Sequence, residues 1–210
     1  MPNWCCCEIE APKSVLKKYI NDEGDFDFNK IFKMPESLNV TDGSDNSRDI
    51  MCYLTDRLTV PFDSLPAEKK FLILELMNYP ESAWNDCKTN PYWNADEGYD
   101  RGKVLVDNYL KYGATTWYDW RWKNWGTKWN ACECVLDKEY EKLKDDDIAV
   151  VAFDTAWNIP VPIIRKIFED NPDCEIRFEW DDEGENWETH YLNRFIDGTI
   201  TFDNKKIDVF

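Results

Sequence analysis

The chain has 210 residues, 43% hydrophobic and 15% aromatic, enough to bury a substantial core without a metal or disulfide staple, and too apolar for a disordered polymer. Forty-two acidic residues against 25 Lys and Arg give a formal charge of -17, which repels phosphate backbones and disfavours general DNA or RNA binding. No run approaches the ~20 apolar residues of a membrane span, which argues against a helical membrane protein.

The start, Met1-Pro2-Asn3-Trp4, lacks the basic region and apolar stretch of a signal peptide, so a reducing cytoplasm is expected, with the cysteines as thiols. Residues 4–11 alternate and predict a strand. Pro12-Lys13-Ser14 then leads into helical spacing over 15–20. Residues 34–46 are rich in Pro, Ser, Asn, Asp and Gly and read as a connector, and helical periodicity follows at 67–78 and 95–112. A helical insertion over 36–114 is therefore expected. Aromatic and β-branched residues predict a strand at 115–122, a second short strand at 131–136, and a nearly pure apolar one at 148–153. Pro160-Val161-Pro162 opens a helix over 163–169, Asn171-Pro172-Asp173 stops it, and 174–180 is a strand. The segments 191–196 and 199–202 flank Asp197-Gly198, a dipeptide suited to a tight hairpin turn.

With the insertion set aside, the order β-α, then β-β-α-β predicts an α+β fold. It is a ferredoxin-like split βαβ sandwich with a helical insertion and a C-terminal β-hairpin. The whole chain, 1–210, is expected to be one domain with its core in 1–35 and 115–210. Alternation assigns Cys5, Cys7, Ile9, Cys132, Cys134, Val151, Phe153, Ile176, Phe178 and Trp180 to the helix-covered face. The other face then carries Cys6, Glu8, Glu10, Glu133, Asp154, Glu175, Arg177 and Glu179, with Asp181, Asp182 and Glu183 continuing the acidic run. RNA-binding versions of such a sheet carry stacking aromatics and basic groups there, so RNA recognition on this face is not expected. Acidic runs are ordinarily solvated loops; the functional alternative is a surface for a basic partner.

One segment departs from this acidity. Across 117–129 the residues Arg121, Lys123, Trp125, Lys128 and Trp129 could stack on a base and pair with phosphate, making a candidate nucleotide site. The competing reading is scaffold, with tryptophans in the core, charges in water and Gly126 at a turn. Cys5-x-Cys7 and Cys132-x-Cys134 are spaced too widely along a strand for adjacent thiolates on one zinc, so no metal is expected and buried thiols are. His190 is the single histidine and has no nucleophile beside it in sequence, which speaks against triad hydrolysis. Neither a calcium-loop spacing nor a phosphate-cradling glycine loop occurs. At 155–158 the chain joins the central strand to the second helix; Pro160 and Pro162 remove amides that could hold an anion, and Trp157 reads as a lid on the end of the sandwich.

The start Pro2-Asn3-Trp4-Cys5, the run 124–131, Phe153-Asp154-Thr155-Ala156-Trp157 with Pro160, and the stretch 178–184 resemble the Api-like and YubB-like proteins of phages and plasmids. That resemblance covers 1 to about 33 and about 115 to 200, and implies a ferredoxin-like domain in a mobile-element protein of a bacterial cytoplasm, with no activity assigned. Three consecutive cysteines depart from the family's usual single one. Together these readings lead to a non-enzymatic protein without cofactor or catalytic residues that engages or inhibits a host defence protein of basic surface. The alternatives are sequestration of a small nucleotide signal at the aromatic-basic segment and a carboxylate-based hydrolase.

Overall fold

The computed structural model describes residues 3–90, 93–182, 194–196, 199–202 and 205–208. In chain order the elements are β1 (Trp4–Pro12), α1 (Lys13–Leu16), α2 (Asn46–Leu54), α3 (Ala67–Leu76), α4 (Pro80–Thr89), α5 (Ala95–Tyr112), α6 (Trp117–Asn124), β2 (Cys132–Leu136), β3 (Ile148–Ala156), α7 (Val161–Asp170), β4 (Arg177–Asp182), β5 (Arg194–Ile196), β6 (Thr199–Phe202) and β7 (Lys205–Asp208). They fall into two compact units, Pro35–Trp120 and the remainder on either side of it.

In the unit formed by the chain ends, four strands lie in the order β2-β3-β1-β4. Every neighbouring pair is antiparallel. It follows that β1 and β2 run parallel with β3 between them, and β3 and β4 run parallel with β1 between them. Two interleaved split βαβ units of this kind make a ferredoxin-like domain. The helix-side positions of β1 are filled by Cys5, Cys7 and Ile9, all buried, and those of β3 by Val151 and Phe153. Phe26 stacks on Phe153 with centroids 4.8 Å apart, and Phe28 meets Phe153 and Trp125 edge-on. Burying each such ring contributes about 1.5–3 kcal/mol, so this aromatic cluster is a substantial apolar anchor of the sheet. Helix α7 buries Ile163, Ile164 and Ile167. Its end is tied back by Asn171, whose Nδ2 donates to Tyr19 Oη at 3.1 Å and to the Ile167 carbonyl at 2.7 Å.

The strand expected over 115–122 is instead helix α6. Its ends explain the change. Thr116 Oγ1 accepts from the Tyr118 amide at 3.3 Å, and the Gly126 amide donates back to the carbonyls of Arg121 and Trp122. Gly126 has φ +78, and a Cβ there would meet Pro162 Cδ at 2.7 Å, so this helix stop requires glycine. The first predicted helix is also shorter than expected, four residues followed by turns. At the C-terminus β5 and β6 pair with Ile196 opposite Thr199, and β7 adds a third strand that periodicity did not suggest. Asp197, Gly198, Glu183 and His190 lie outside the described residues.

The other unit is helical, and besides the two helices expected at 67–78 and 95–112 it contains α2 and α4. Ile50, Met51, Leu54, Ile73 and Leu105 centre its core. Asn94 caps α5, accepting from the amides of Asp96 and Glu97, and Gly113 closes it at φ 68. A polar knot holds α2 to α5: Arg101 Nη1 donates to the buried Asp49 carboxylate at 2.7 Å, Trp93 Nε1 donates to its other oxygen at 3.1 Å, and Arg101 Nη2 donates to the Thr41 carbonyl. Phe71, Leu74 and Tyr79 are exposed.

Candidate functional site: the open face of the sheet

Alternation on β1 sends Trp4, Cys6, Glu8 and Glu10 to the face opposite the aromatic core. The register then decides what stands beside each. Cys6 lies between Asp154 on β3 and Asp181 on β4, Glu8 between Ala152 and Glu179, and Glu10 between Val150 and Arg177. Cys6 and Glu8 are exposed, and Glu10, Asp154 and Glu179 are half-buried. Among the described residues, Glu10 is neutralised in place, accepting from Arg177 Nη1 at 3.0 Å.

Glu8 and Glu179 are like charges directly opposite on adjacent strands, an arrangement that costs rather than contributes stability. The result is visible at Glu8. Partial desolvation by its neighbours, then the charges of Glu179 and Glu10, raise its carboxyl above the ordinary value of 4.5. A sheet selected for stability alone would pair one of these acids with a base.

On β2 the register slips by one residue between Cys132 and Val135, and Glu133 has φ 48. This bulge corrects two expectations. Cys132 stands opposite Asp154 and so belongs to the open face rather than the helix-covered one, and Glu133 is the exposed bulge residue instead of a regular member of the acidic row. A bulge also spoils an edge for pairing with another strand. Val135, 63% exposed, completes the face beyond it. Glu175 is exposed just before β4, and Asp182 holds the backbone register position opposite Cys5.

The aromatic-basic segment is not arranged as an open platform. Trp125 is only 1% exposed, its Nε1 donates to the Phe32 carbonyl at 2.9 Å, and the Arg121 guanidinium sits 4.9 Å from its ring centroid. Base stacking on Trp125 is corrected to a core role, and Arg121 lies on the protein's own ring. Lys123 is exposed on α6. Lys128 lies 5.2 Å from the Trp129 centroid, and Trp129 packs at 5.8 Å on Trp4, at the end of the acidic face. The island therefore splits, one ring inward and one at the rim of the sheet.

At the end of β3, Thr127 Oγ1 donates to the Ala156 carbonyl at 2.8 Å and the Trp157 amide to the Asn3 carbonyl at 2.9 Å. Trp157 itself has φ 75 and is 45% exposed, so it projects rather than closing the sandwich as a lid. Burial raises the thiols of Cys7 and Cys134, the latter to about 11, which leaves them as small apolar groups. Among the described residues no three His, Cys, Asp or Glu side chains are placed to hold a metal ion, and no helix is long and apolar enough to cross a membrane. Sequence reasoning had not singled out Trp4 as a site residue, although simple alternation from Cys6 places it on the acidic face.

Residues 124–205 match the family model described as the ferredoxin-like domain in Api92-like protein. The match shows the resemblance to the Api-like family over that segment, and the description names a fold and no activity. A crystal structure of the protein api92 from Yersinia pseudotuberculosis is 10% identical, aligns over 99% of this chain and 97% of its own, and has a TM-score of 0.36. No curated protein matches the chain.

Proposed function

We propose that this protein is a non-enzymatic binding protein, encoded by a phage or other mobile element and acting in a bacterial cytoplasm, whose open acidic sheet face engages and inhibits a host defence protein of basic surface. The observation that carries this reading is the Glu8–Glu179 opposition on an exposed sheet face. Unrelieved like charge is a cost in the free protein and a gain once a cation arrives, since the partner's charge both pairs with the acids and removes their repulsion. The bulge in β2 supports binding by the face over strand addition at that edge. The overall charge of -17 adds long-range attraction for a basic partner. A nucleotide-sequestering role draws no support from the buried Trp125, and no observation favours a hydrolase.

The test is affinity capture from host cells with the natural chain and with a variant carrying Glu8→Gln, Glu10→Gln and Glu179→Gln. A partner that is captured by the natural chain, is lost with the variant and binds more weakly as salt rises meets the expectation. Equal capture by both chains, or an affinity indifferent to ionic strength, overturns it.

A further inference from the structure

Helix α3 is apolar on more sides than its own unit covers. Ile73 is buried in the core of the helical unit, and Leu72 and Leu76 pack against that core. Lys69 donates from Nζ to the Leu54 carbonyl at 3.0 Å. The outward side carries Phe71 and Leu74, 63% and 64% exposed. A helix that is hydrophobic all round is ordinarily buried all round, and two large apolar side chains one turn apart form a stripe that water does not favour.

The charges beside that stripe decide what fits it. With Phe71 at position a and Leu74 at d of a heptad, Lys70 falls at g and Glu75 at e, while Lys69, Leu72, Ile73 and Leu76 fall at the b, c and f positions that face away. Lys70 and Glu75 thus flank the stripe on opposite sides. When two copies of such a helix lie side by side in the same direction, g of each meets e of the other, so each Lys70 stands opposite Glu75 of the second copy. Antiparallel pairing brings lysine to lysine and glutamate to glutamate instead. Both groups keep capacity for the cross-pairing: Lys70 Nζ uses one of its three donors on the Asp63 carbonyl at 2.8 Å, and Glu75 accepts from Tyr109 Oη at 3.1 Å through one of its two oxygens.

We propose that α3 is a self-association surface, on which a second copy of this chain docks α3 against α3 in parallel about a two-fold axis, with Phe71 and Leu74 interlocking at the centre and two Lys70–Glu75 pairs closing the sides. A contact of this kind needs no partner of other sequence, because the stripe is complementary to itself. One heptad makes a small interface, so monomer and dimer exchange in the micromolar range. The proposal takes nothing from the acidic sheet face, which belongs to the other unit.

Sedimentation equilibrium of the full chain, at moderate salt to screen the charge of -17, tests it. The natural chain should be monomeric at about 1 µM and largely dimeric at about 300 µM. Phe71→Ser combined with Leu74→Ser should stay monomeric throughout. Lys70→Glu should weaken association about tenfold, and adding Glu75→Lys to it should return the affinity to within about threefold of the natural chain at unchanged net charge. Circular dichroism checks that each variant is folded, and should the serine pair not fold, the charge exchange carries the decision. A natural chain that stays monomeric at about 300 µM, a dimer indifferent to the serine changes, an affinity unmoved by Lys70→Glu, or a charge exchange that restores nothing overturns the proposal.

Discussion

The carbonyl oxygen of Asp49 lies 1.9 Å from the point a Cβ on Gly102 would occupy, so α2 and α5 touch backbone to backbone at this crossing. A glycine inside a helix costs roughly 1 kcal/mol relative to alanine, and here the close approach explains its presence. Gly102→Ala is expected to lower stability by about 1–3 kcal/mol in urea denaturation, because a main-chain atom must move. At Gly98 the obstacle is the Trp93 ring at 2.7 Å, a side chain that can turn, so Gly98→Ala should cost less. The reverse ranking would contradict this packing.

Glu8 leads to a pH prediction. Its folded-state pKa is raised, so the carboxyl favours the protonated form when folded; its share of stability is full below the ordinary 4.5 and is lost as pH rises through the folded value. Glu8→Gln should therefore stabilise the protein at neutral pH, by about 0.2–1 kcal/mol as expected for relief of opposed like charges. The gain should shrink as pH falls through the raised folded value, vanish below 4.5, and weaken as salt rises. Paired melting curves across pH measure it, and a gain that grew on acidification would reverse the assignment.

The three consecutive cysteines should differ widely in reactivity despite being neighbours in sequence. Cys6 is exposed on the open face, while Cys5 and Cys7 are buried and burial raises the Cys7 thiol far above its ordinary range. Under native conditions iodoacetamide followed by peptide mass spectrometry should label Cys6 first. Cys52, pushed up to about 11, should also wait for unfolding. Prompt labelling of Cys7 in the folded protein would show that β1 is not held as described.

Trp157 adopts φ 75, a left-handed conformation costing a non-glycine residue roughly 1–2 kcal/mol. Comparing Trp157→Gly with Trp157→Ala removes the indole in both and isolates the backbone. The glycine variant should be the more stable of the two by about 1 kcal/mol, measured as the difference in unfolding free energy. Equal stabilities would mean that the backbone there relaxes without strain.

Much of the sheet is legible in the sequence because its signals are local. The alternation Cys5, Cys7, Ile9 against Cys6, Glu8, Glu10 needs only a period of two, and the proline-opened helix before Asn171 needs only local dihedral preference. Helix α6 is not legible in this way because aromatic and β-branched residues favour strands in general; the deciding marks, Thr116 and Gly126 at either end, are single residues whose meaning depends on the hydrogen bonds they close. The displacement of Cys132 onto the open face was hidden for a related reason, since a bulge is a mismatch between two strands and neither strand alone records it.

The amino-acid order by itself determined the net charge, the alternation of each strand and the split βαβ plan, because these follow from composition, from a two-residue period and from the succession of elements. Only the tertiary structure decided which acids face one another, that Glu8 meets Glu179 while Glu10 meets Arg177, and that Trp129 comes to rest on Trp4 whereas Trp125 turns inward. Those pairings join residues more than a hundred positions apart, and their energies depend on distances of a few ångströms that no local pattern encodes.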